Sequence, residues 1–227
     1  MFLYKFIEKE YFNDFFNKGS LRLGTVYDYK DIVEHGASRG DSSEGEHRLV
    51  RNIDGTIVFS NEKPEPIISE FFKIKDGGKA FVSNVSLVAP RRSEDGFLFC
   101  TSYIYHETLF KRWYAEERLD SCYVITNPRG FISAINNRVS SSAKFFRNEN
   151  VTYTEEEIDY LSPHAELYPA FTKMKTKYEW QLENRSIWGA IGPCGPLKPW
   201  VLEVPEAIQY CRPFSFLEDN KIVYSEI

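Results

Sequence analysis

The chain has 227 residues and a formal net charge of −5. That length suits one large domain with a real hydrophobic core, and we treat residues 1–227 as a single domain. The acidic balance argues against a protein whose main task is to grip nucleic acid through its phosphates, because that task needs a basic field. Aromatic residues make up 16% of the chain, which favours a sheet-rich fold with a recognition cleft.

Cysteine spacing and hydropathy indicate the compartment. Cys100, Cys122, Cys194 and Cys211 are widely separated and form no CxxC pair, so they predict neither a zinc site nor a redox motif. The first residues lack the long apolar core of a signal peptide, and no run approaches membrane-spanning length. We therefore expect a cytoplasmic protein with reduced thiols and no membrane partner.

The chain begins with a strand, a helix and a second strand. A short strand is predicted over 2–6, followed by a helix over 8–17 whose aromatic residues recur at helical spacing. Gly19 is a good helix terminator, and a strand over 21–26 follows it. The polar segment 27–47 predicts a long irregular connection, and connections of that length are often functional.

Two hairpins are predicted next. The first covers 48–60 and folds at Asn52-Ile53-Asp54-Gly55, since Asp-Gly is a strong turn signal. The second joins a strand over 67–75 to one over 79–88 around Asp76-Gly77-Gly78.

The remaining half alternates short strands with helices. Helices are predicted over 106–117 and 128–138, with a further short one opening at Thr154. Strands are predicted over 97–103, 122–126, 143–146, 151–153, 178–188, 200–204 and 221–225. The sequence therefore predicts an α+β fold of mostly antiparallel sheets, with a few short helices and hairpin insertions.

The predicted strand over 178–188 alternates charged and bulky apolar residues. Glu179, Gln181, Glu183 and Arg185 would share one face, which is costly to bury unless its members pair or line a polar cleft. The pattern leaves two interpretations open, a solvated face of an edge strand and the wall of an active site.

Sequence motifs of several common enzymes are missing. The chain has no phosphate loop, GxGxxG fingerprint, GxSxG elbow or HExxH helix. Asp41, Glu44 and His47 lie in a segment where carboxylates and histidine would suit a divalent metal of a nuclease. A solvated acidic loop explains the same residues, because their spacing matches no specific ligand pattern, and we predict no metal site.

Three separated elements carry the candidate chemistry: Arg22 on an early strand, Thr101-Ser102 at the end of a middle strand, and Gln181-x-Glu183 on a late strand. In this order they resemble the Arg, Ser and Gln-x-Glu signature of ADP-ribosyltransferases, which split the bond between nicotinamide and ribose in NAD. The resemblance implies that Arg22 binds the diphosphate, since its rigid fork matches phosphate oxygens. Thr101 and Ser102 would brace the ribose, Gln181 would orient the acceptor, and Glu183 would stabilise the cation that develops as nicotinamide leaves.

Neighbouring residues extend this prediction. Tyr27 and Tyr29 could stack on nicotinamide or adenine. Lys173 and Lys175 could assist with phosphate. A lysine edge that blocks strand-to-strand aggregation explains those lysines equally well.

A second resemblance spans most of the chain. Segments 3–6, 21–25, 29–45 and 98–102, together with Phe171-Thr172-Lys173 and the later Glu179, Glu183 and Arg185, are similar to a widespread bacterial and phage domain family of uncharacterised function. That resemblance implies one intact domain but no settled activity.

Two classes of function remain open. The first is an ADP-ribosyltransferase-like enzyme that uses NAD as a substrate and modifies a protein, nucleic-acid or small-molecule acceptor. The second is a non-enzymatic interaction protein that binds and blocks a host or defence protein, for which the many aromatic residues speak. The metal-dependent nuclease is a third, weaker interpretation.

Overall fold

In the computed structural model the chain folds into antiparallel sheets flanked by short helices, which confirms the predicted α+β class. The structure describes residues 1–192 and 195–225, so Pro193 and Cys194 of the predicted loop lie outside it. The described helices are α1 (Lys9–Lys18), α2 (Ile32–Arg39), α3 (Pro66–Phe71), α4 (Glu107–Glu117), α5 (Pro128–Val139), α6 (Lys175–Tyr178) and α7 (Pro205–Ile208). The described strands are β1 (Leu3–Ile7), β2 (Ser20–Thr25), β3 (Glu46–Ser60), β4 (Lys79–Arg92), β5 (Phe97–Ser102), β6 (Ser121–Ile125), β7 (Ala143–Asn150), β8 (Thr152–Thr154), β9 (Glu157–Asp159), β10 (Thr172–Met174), β11 (Glu183–Ala190), β12 (Trp200–Glu203), β13 (Cys211–Glu218) and β14 (Lys221–Tyr224).

The largest sheet is built around β5. Its order is β12-β2-β5-β1-β6-β13-β14, and β11 pairs with β5 and carries β7 on its other edge. Its pairings are all antiparallel, as expected for a sheet without the long crossovers that parallel strands need.

One edge of β5 is forked. β2 pairs with the start of β5, opposite Phe97 and Leu98, whereas β1 pairs with its end, opposite Ser102. The other edge of β5 is paired with β11 along its whole length, from Phe97 to Ser102. Because β1 and β2 diverge, a gap opens beside residues 99–101, and the candidate site lies in this gap.

Helix α1 covers one face of the sheet with the aromatic residues that predicted it. The Phe15 ring stacks on Tyr123 of β6 with 4.7 Å between ring centroids and an interplanar angle of 9°. Gly19 ends the helix with φ +74° and donates its N–H to the Phe15 carbonyl, which is the left-handed cap that the sequence predicted. Side chains from α1, α5 and several strands form the main hydrophobic cluster.

The first predicted hairpin is wrong. β3 runs straight through Asp54 and Gly55 and pairs with β4, and the Asp-Gly pair forms an irregularity in the register between Ile53 and Thr56. Gly55 has φ +77° and donates its N–H to the Asn84 side chain, so the glycine serves a bulge and not a turn.

The first strand of the second predicted hairpin is also wrong, since 67–75 begins within α3. Ile67 and Ile68 are buried against Leu49 and Ile53 of β3, forming a second hydrophobic cluster. One face of a helix buries this pair more completely than an alternating strand would. The Asp76-Gly77-Gly78 turn is present, with Gly77 at φ +74°.

Two further segments depart from the sequence prediction. The connection 27–47 is not irregular, because it holds α2 and a short 3₁₀ turn at 28–30. The short helix predicted at Thr154 is replaced by β9, which pairs parallel to β3. Among the described residues no helix is long and apolar enough to cross a membrane.

The predicted strand over 178–188 begins only at Glu183. Helix α6 and a 3₁₀ turn at 179–181 precede it, and Leu182 adopts a left-handed conformation with φ +48° that redirects the chain into β11. Gln181 is therefore on a turn, and the predicted shared strand face of Gln181 and Glu183 does not exist.

Candidate functional site

A cavity of about 390 Å³ occupies the gap between β1 and β2. Most of the predicted site residues line it, and they come from distant parts of the chain. These are Arg22, Tyr29, Thr101, Ser102, Lys173, Gln181 and Glu183.

Two predicted residues lie elsewhere. The Tyr27 hydroxyl donates to the Ser93 carbonyl at 2.7 Å, outside the cavity lining. Lys175 is exposed on α6 and lies 4.0 Å from Glu179, outside the cavity lining as well.

Four buried charged residues line one part of the cavity, and we call this part the acidic wall after its two glutamates, Glu44 and Glu183. Arg185 Nε donates to Glu183 Oε1 at 2.8 Å, and Arg185 Nη1 and Nη2 donate to Glu44 at 2.5 Å and 2.8 Å. Lys173 Nζ lies 3.0 Å from Glu183 Oε2 and 3.8 Å from Glu44. All four side chains are at most 7% exposed, so two cations balance two carboxylates away from bulk water.

Strand alternation places Glu183 and Arg185 on the same face of β11. Their partners on β5 are Ser102 and Cys100, so this face meets the gap where β5 lacks a continuous neighbour. β11 is paired on both edges and these two side chains are buried, so the interpretation as a solvated face of an edge strand is wrong.

A tight turn brings Glu44 into the network. The Asp41 carboxylate accepts the Ser43 N–H at 2.9 Å, and Gly45 follows with φ +70°. A Cβ at Gly45 would lie 2.5 Å from Val26 and 2.7 Å from Ser93, so this turn requires glycine both for its dihedral and for space.

The network keeps Glu183 ionised. Burial alone would raise the pKa of this carboxyl, but the charges of Arg185 and Lys173 outweigh burial and hold the pKa well below its usual range. Burial raises the pKa of the neighbouring Cys100 thiol, and the Glu183 anion raises it further.

Ser102 and Gln181 hold the turn before β11. Ser102 Oγ donates to the Gln181 carbonyl at 2.7 Å. The Gln181 side chain donates to the Ser38 carbonyl at 2.5 Å and accepts from Lys173 at 3.1 Å. Both side chains therefore hold in place the turn that leads into Glu183.

Arg22 and Tyr29 line another part of the cavity. Arg22 lies on β2, donates through Nη2 to Asp28 at 2.8 Å and has a side chain 39% exposed. Burial raises the Tyr29 pKa, so its phenol stays neutral. Its ring fills the space over Gly24, where a Cβ would approach the ring to 2.6 Å.

Among the described residues, Asp41, Glu44 and His47 of the nuclease interpretation do not form a group with metal-ligand spacing. Glu44 is held by Arg185, and His47 Nδ1 lies 3.4 Å from Thr172 Oγ1. In the described part of the chain the group with metal-ligand spacing is a different one, composed of Asp28, Glu34 and His35.

Several residues that line the cavity are absent from the sequence prediction of the site, among them two cationic side chains and a thiol. Lys5, Arg39 and Cys100 all line the cavity. Lys5 carries a usable signal, because it is a lone charge in the middle of an apolar strand. Arg39 and Cys100 carry none, since only the tertiary fold brings α2 and the middle of β5 together.

Comparison with known proteins identifies no relative. No family model matches the chain, and no curated protein or solved structure is significantly similar to it.

Proposed function

We propose that the cavity binds NAD and that the protein transfers ADP-ribose from NAD to an acceptor. The observation that carries this proposal is the position of Arg22, Ser102 and Glu183, which are remote in sequence and line one cavity. A guanidinium, a hydroxyl that braces a turn and a fixed carboxylate are the groups that this reaction needs around one sugar.

Glu183 would supply the electrostatic stabilisation. As the bond between ribose C1′ and nicotinamide breaks, its electron pair leaves with nicotinamide and positive charge develops on the ribose. A carboxylate that is already ionised and held by Arg185 and Lys173 stabilises that charge without reorganising. The acceptor nucleophile then bonds to C1′ and loses a proton.

Glu183 also retains acceptor capacity for the substrate. A carboxylate has about four lone-pair sites. Arg185 and Lys173 occupy three of them, with contacts at 2.8, 3.3 and 3.0 Å. The remaining site faces the Cys100 thiol, and a ribose hydroxyl would replace the weak hydrogen bond of that thiol to Glu183.

Tyr29 and Phe99 would flank the bound ligand. Both side chains line the cavity. Aromatic rings can stack on either nicotinamide or adenine.

We place the activity in the cytoplasm, a reducing compartment, and the free thiols of Cys100, Cys122 and Cys211 support this.

The test is release of nicotinamide from labelled NAD, with and without cell lysate as a source of acceptor. Glu183→Gln keeps the shape of the side chain and removes its charge, so we expect loss of about 100-fold or more in turnover. Arg22→Gln should raise KM for NAD about 10-fold or more, because a charged phosphate contact is lost. Lys175→Gln serves as the matched control and should turn over NAD like the wild type.

Thermal unfolding of each variant separates loss of chemistry from loss of fold. Equal turnover by a folded Glu183→Gln variant, or no turnover by the wild type under any condition, would reject the transferase proposal. The second outcome would favour the non-enzymatic interaction protein.

A further inference from the structure

Three further cations, each from a separate element, line the same cavity. They are Lys5 on β1, Arg22 on β2 and Arg39 at the end of α2. The two cations of the acidic wall, Lys173 and Arg185, are balanced there by Glu44 and Glu183. We call Lys5, Arg22 and Arg39 the cationic wall. Its two arginines pair with carboxylates that do not line the cavity, Asp28 and Glu117.

Lys5 is the cation with the weakest compensation. In the part of the chain that the structure describes, no carboxylate oxygen lies within 4.0 Å of its ammonium group. Its Nζ donates to the Cys100 carbonyl at 2.8 Å, a group that the fork of β5 leaves without a strand partner, and lies 4.8 Å from the Phe99 ring centroid. Burial lowers the Lys5 pKa, and the neighbouring Arg39 and Arg22 lower it further, although Cys100 and Glu183 oppose this.

Arg22 and Arg39 each use one nitrogen atom to pair with a carboxylate that does not line the cavity. Arg22 pairs with Asp28 through Nη2, and Arg39 pairs with Glu117 through Nε at 2.7 Å. A guanidinium has five N–H donors, so each arginine keeps most of its donors available. The outer carboxylates fix the orientation of both side chains and reduce the entropy lost on binding a ligand.

Acidic side chains also touch the cavity, on the α1 side. Glu8 precedes α1, and Asp14 within α1 lies 3.5 Å from Lys18. They form no ion pair with the cationic wall, so they do not neutralise it.

We infer that Lys5, Arg22 and Arg39 together form a binding site for a diphosphate group. This inference rests on the proposed function, in which NAD brings a diphosphate into the cavity. A diphosphate carries two negative charges when esterified at both ends, and several cations in one hollow match it. The lysines that the sequence predicted for phosphate are not part of this diphosphate site. Lys173 is ion-paired with Glu44 and Glu183, and Lys175 lies outside the cavity.

Inorganic pyrophosphate is the probe that tests the site without any chemistry on NAD. Its affinity should be measured by isothermal titration calorimetry at low and at physiological salt. Lys5→Met and Arg39→Gln should each raise Kd about 10-fold to 100-fold, as expected for the loss of a hydrogen bond between charged groups. Lys5→Arg should restore most of the affinity, and Lys175→Met is the matched control whose Kd should stay within about twofold of the wild type.

The outcomes separate this inference from the proposed function. Pyrophosphate binding that depends on Lys5 and Arg39, with no NAD turnover, would support the site and reject the transferase. NAD turnover with an unchanged KM in both variants would reject the site and leave the transferase standing. If Lys5→Met unfolds, Arg39→Gln decides the question, since the Arg39 side chain is 41% exposed and glutamine can still donate a hydrogen bond to Glu117. Unchanged pyrophosphate affinity in Arg39→Gln would overturn the inference.

Discussion

Glu183 is a buried carboxylate whose charged partners both stabilise it and fix its orientation. Taking a carboxylate out of water costs several kcal/mol unless partners compensate it. Here Arg185 contacts both of its oxygens and Lys173 contacts one of them. The same contacts that make burial tolerable fix the carboxylate in one orientation, which is the property that electrostatic catalysis requires.

Removing Arg185 should be far more damaging than removing an exposed arginine. Arg185→Met leaves Glu44 and Glu183 buried without their shared cation, and we expect a loss of roughly 3–5 kcal/mol in the free energy of unfolding, measured in urea. Arg147 pairs with Glu149 on the surface with both side chains 47% exposed, so Arg147→Met should cost less than about 1 kcal/mol. A cost for Arg185→Met as small as that of the surface variant would show that the network is not compensated as described.

The sequence predicts part of this residue-level picture. The alternation of Glu183 and Arg185 shows that the two side chains share a face, but not whether that face is wet or buried. Their partner Glu44 is 141 residues from Arg185 in the chain. No local pattern predicts a contact at that separation, and the acidic loop around Glu44 resembles a solvated one.

Among the elements, the fork at β5 decides where the cavity forms. β2 and β1 compete for the same edge of β5 and each takes one end, opposite Leu98 and Ser102 respectively. The Lys5 ammonium satisfies the Cys100 carbonyl that would otherwise face the gap unpaired. The cavity is therefore a consequence of strand pairing.

Gly24 sets the position of Tyr29 against β2. Gly24→Ala should force the Tyr29 ring to move, because its Cβ would lie 2.6 Å from that ring, and we expect a cost of about 1–3 kcal/mol in the free energy of unfolding. Gly189→Ala is the matched control, since a Cβ there meets nothing within 4 Å. In a Tyr29→Ala background the additional cost of Gly24→Ala should largely disappear, and an additional cost as large as in the wild-type background would contradict the role assigned to the ring.

Elements with a strong local pattern are the ones that the sequence predicts well. The α1 helix, its Gly19 cap and the strands flanking it were all expected from periodicity and capping. The sequence also predicts a hairpin at Asp54-Gly55, but the structure has a bulge there, because the same dipeptide suits both and the long-range pairing of β3 with β4 selects the bulge. The start of β11 was misplaced because periodicity cannot detect the left-handed residue Leu182.

Across the molecule, the acidic network should dominate the response to low pH. The folded-state pKa of Glu183 is lowered below its ordinary value of 4.5. Its contribution to stability is therefore fully present above about pH 4.5 and is lost as pH falls through the folded-state pKa. Each unit of lowering corresponds to about 1.4 kcal/mol. Asp41 acts in the opposite direction, because burial and the nearby Glu44 raise its pKa.

Urea unfolding between pH 7 and pH 3 tests this balance. The free energy of unfolding should fall steadily below about pH 4.5 in the wild type. In Glu183→Gln the fall should be shallower over the same range, because the titrating group is gone. Identical acid profiles for the two proteins would show that Glu183 titrates normally and that the network does not hold its charge.

The protonated state of Cys100 has a consequence for the life of the protein in an oxidising cell. Peroxides and electrophiles attack the thiolate, and both burial and the adjacent anion make that form inaccessible at neutral pH. The Cys100 sulfur therefore lines the cavity as a thiol of low reactivity, and hydrogen peroxide at a level that oxidises reactive cysteines should leave it reduced.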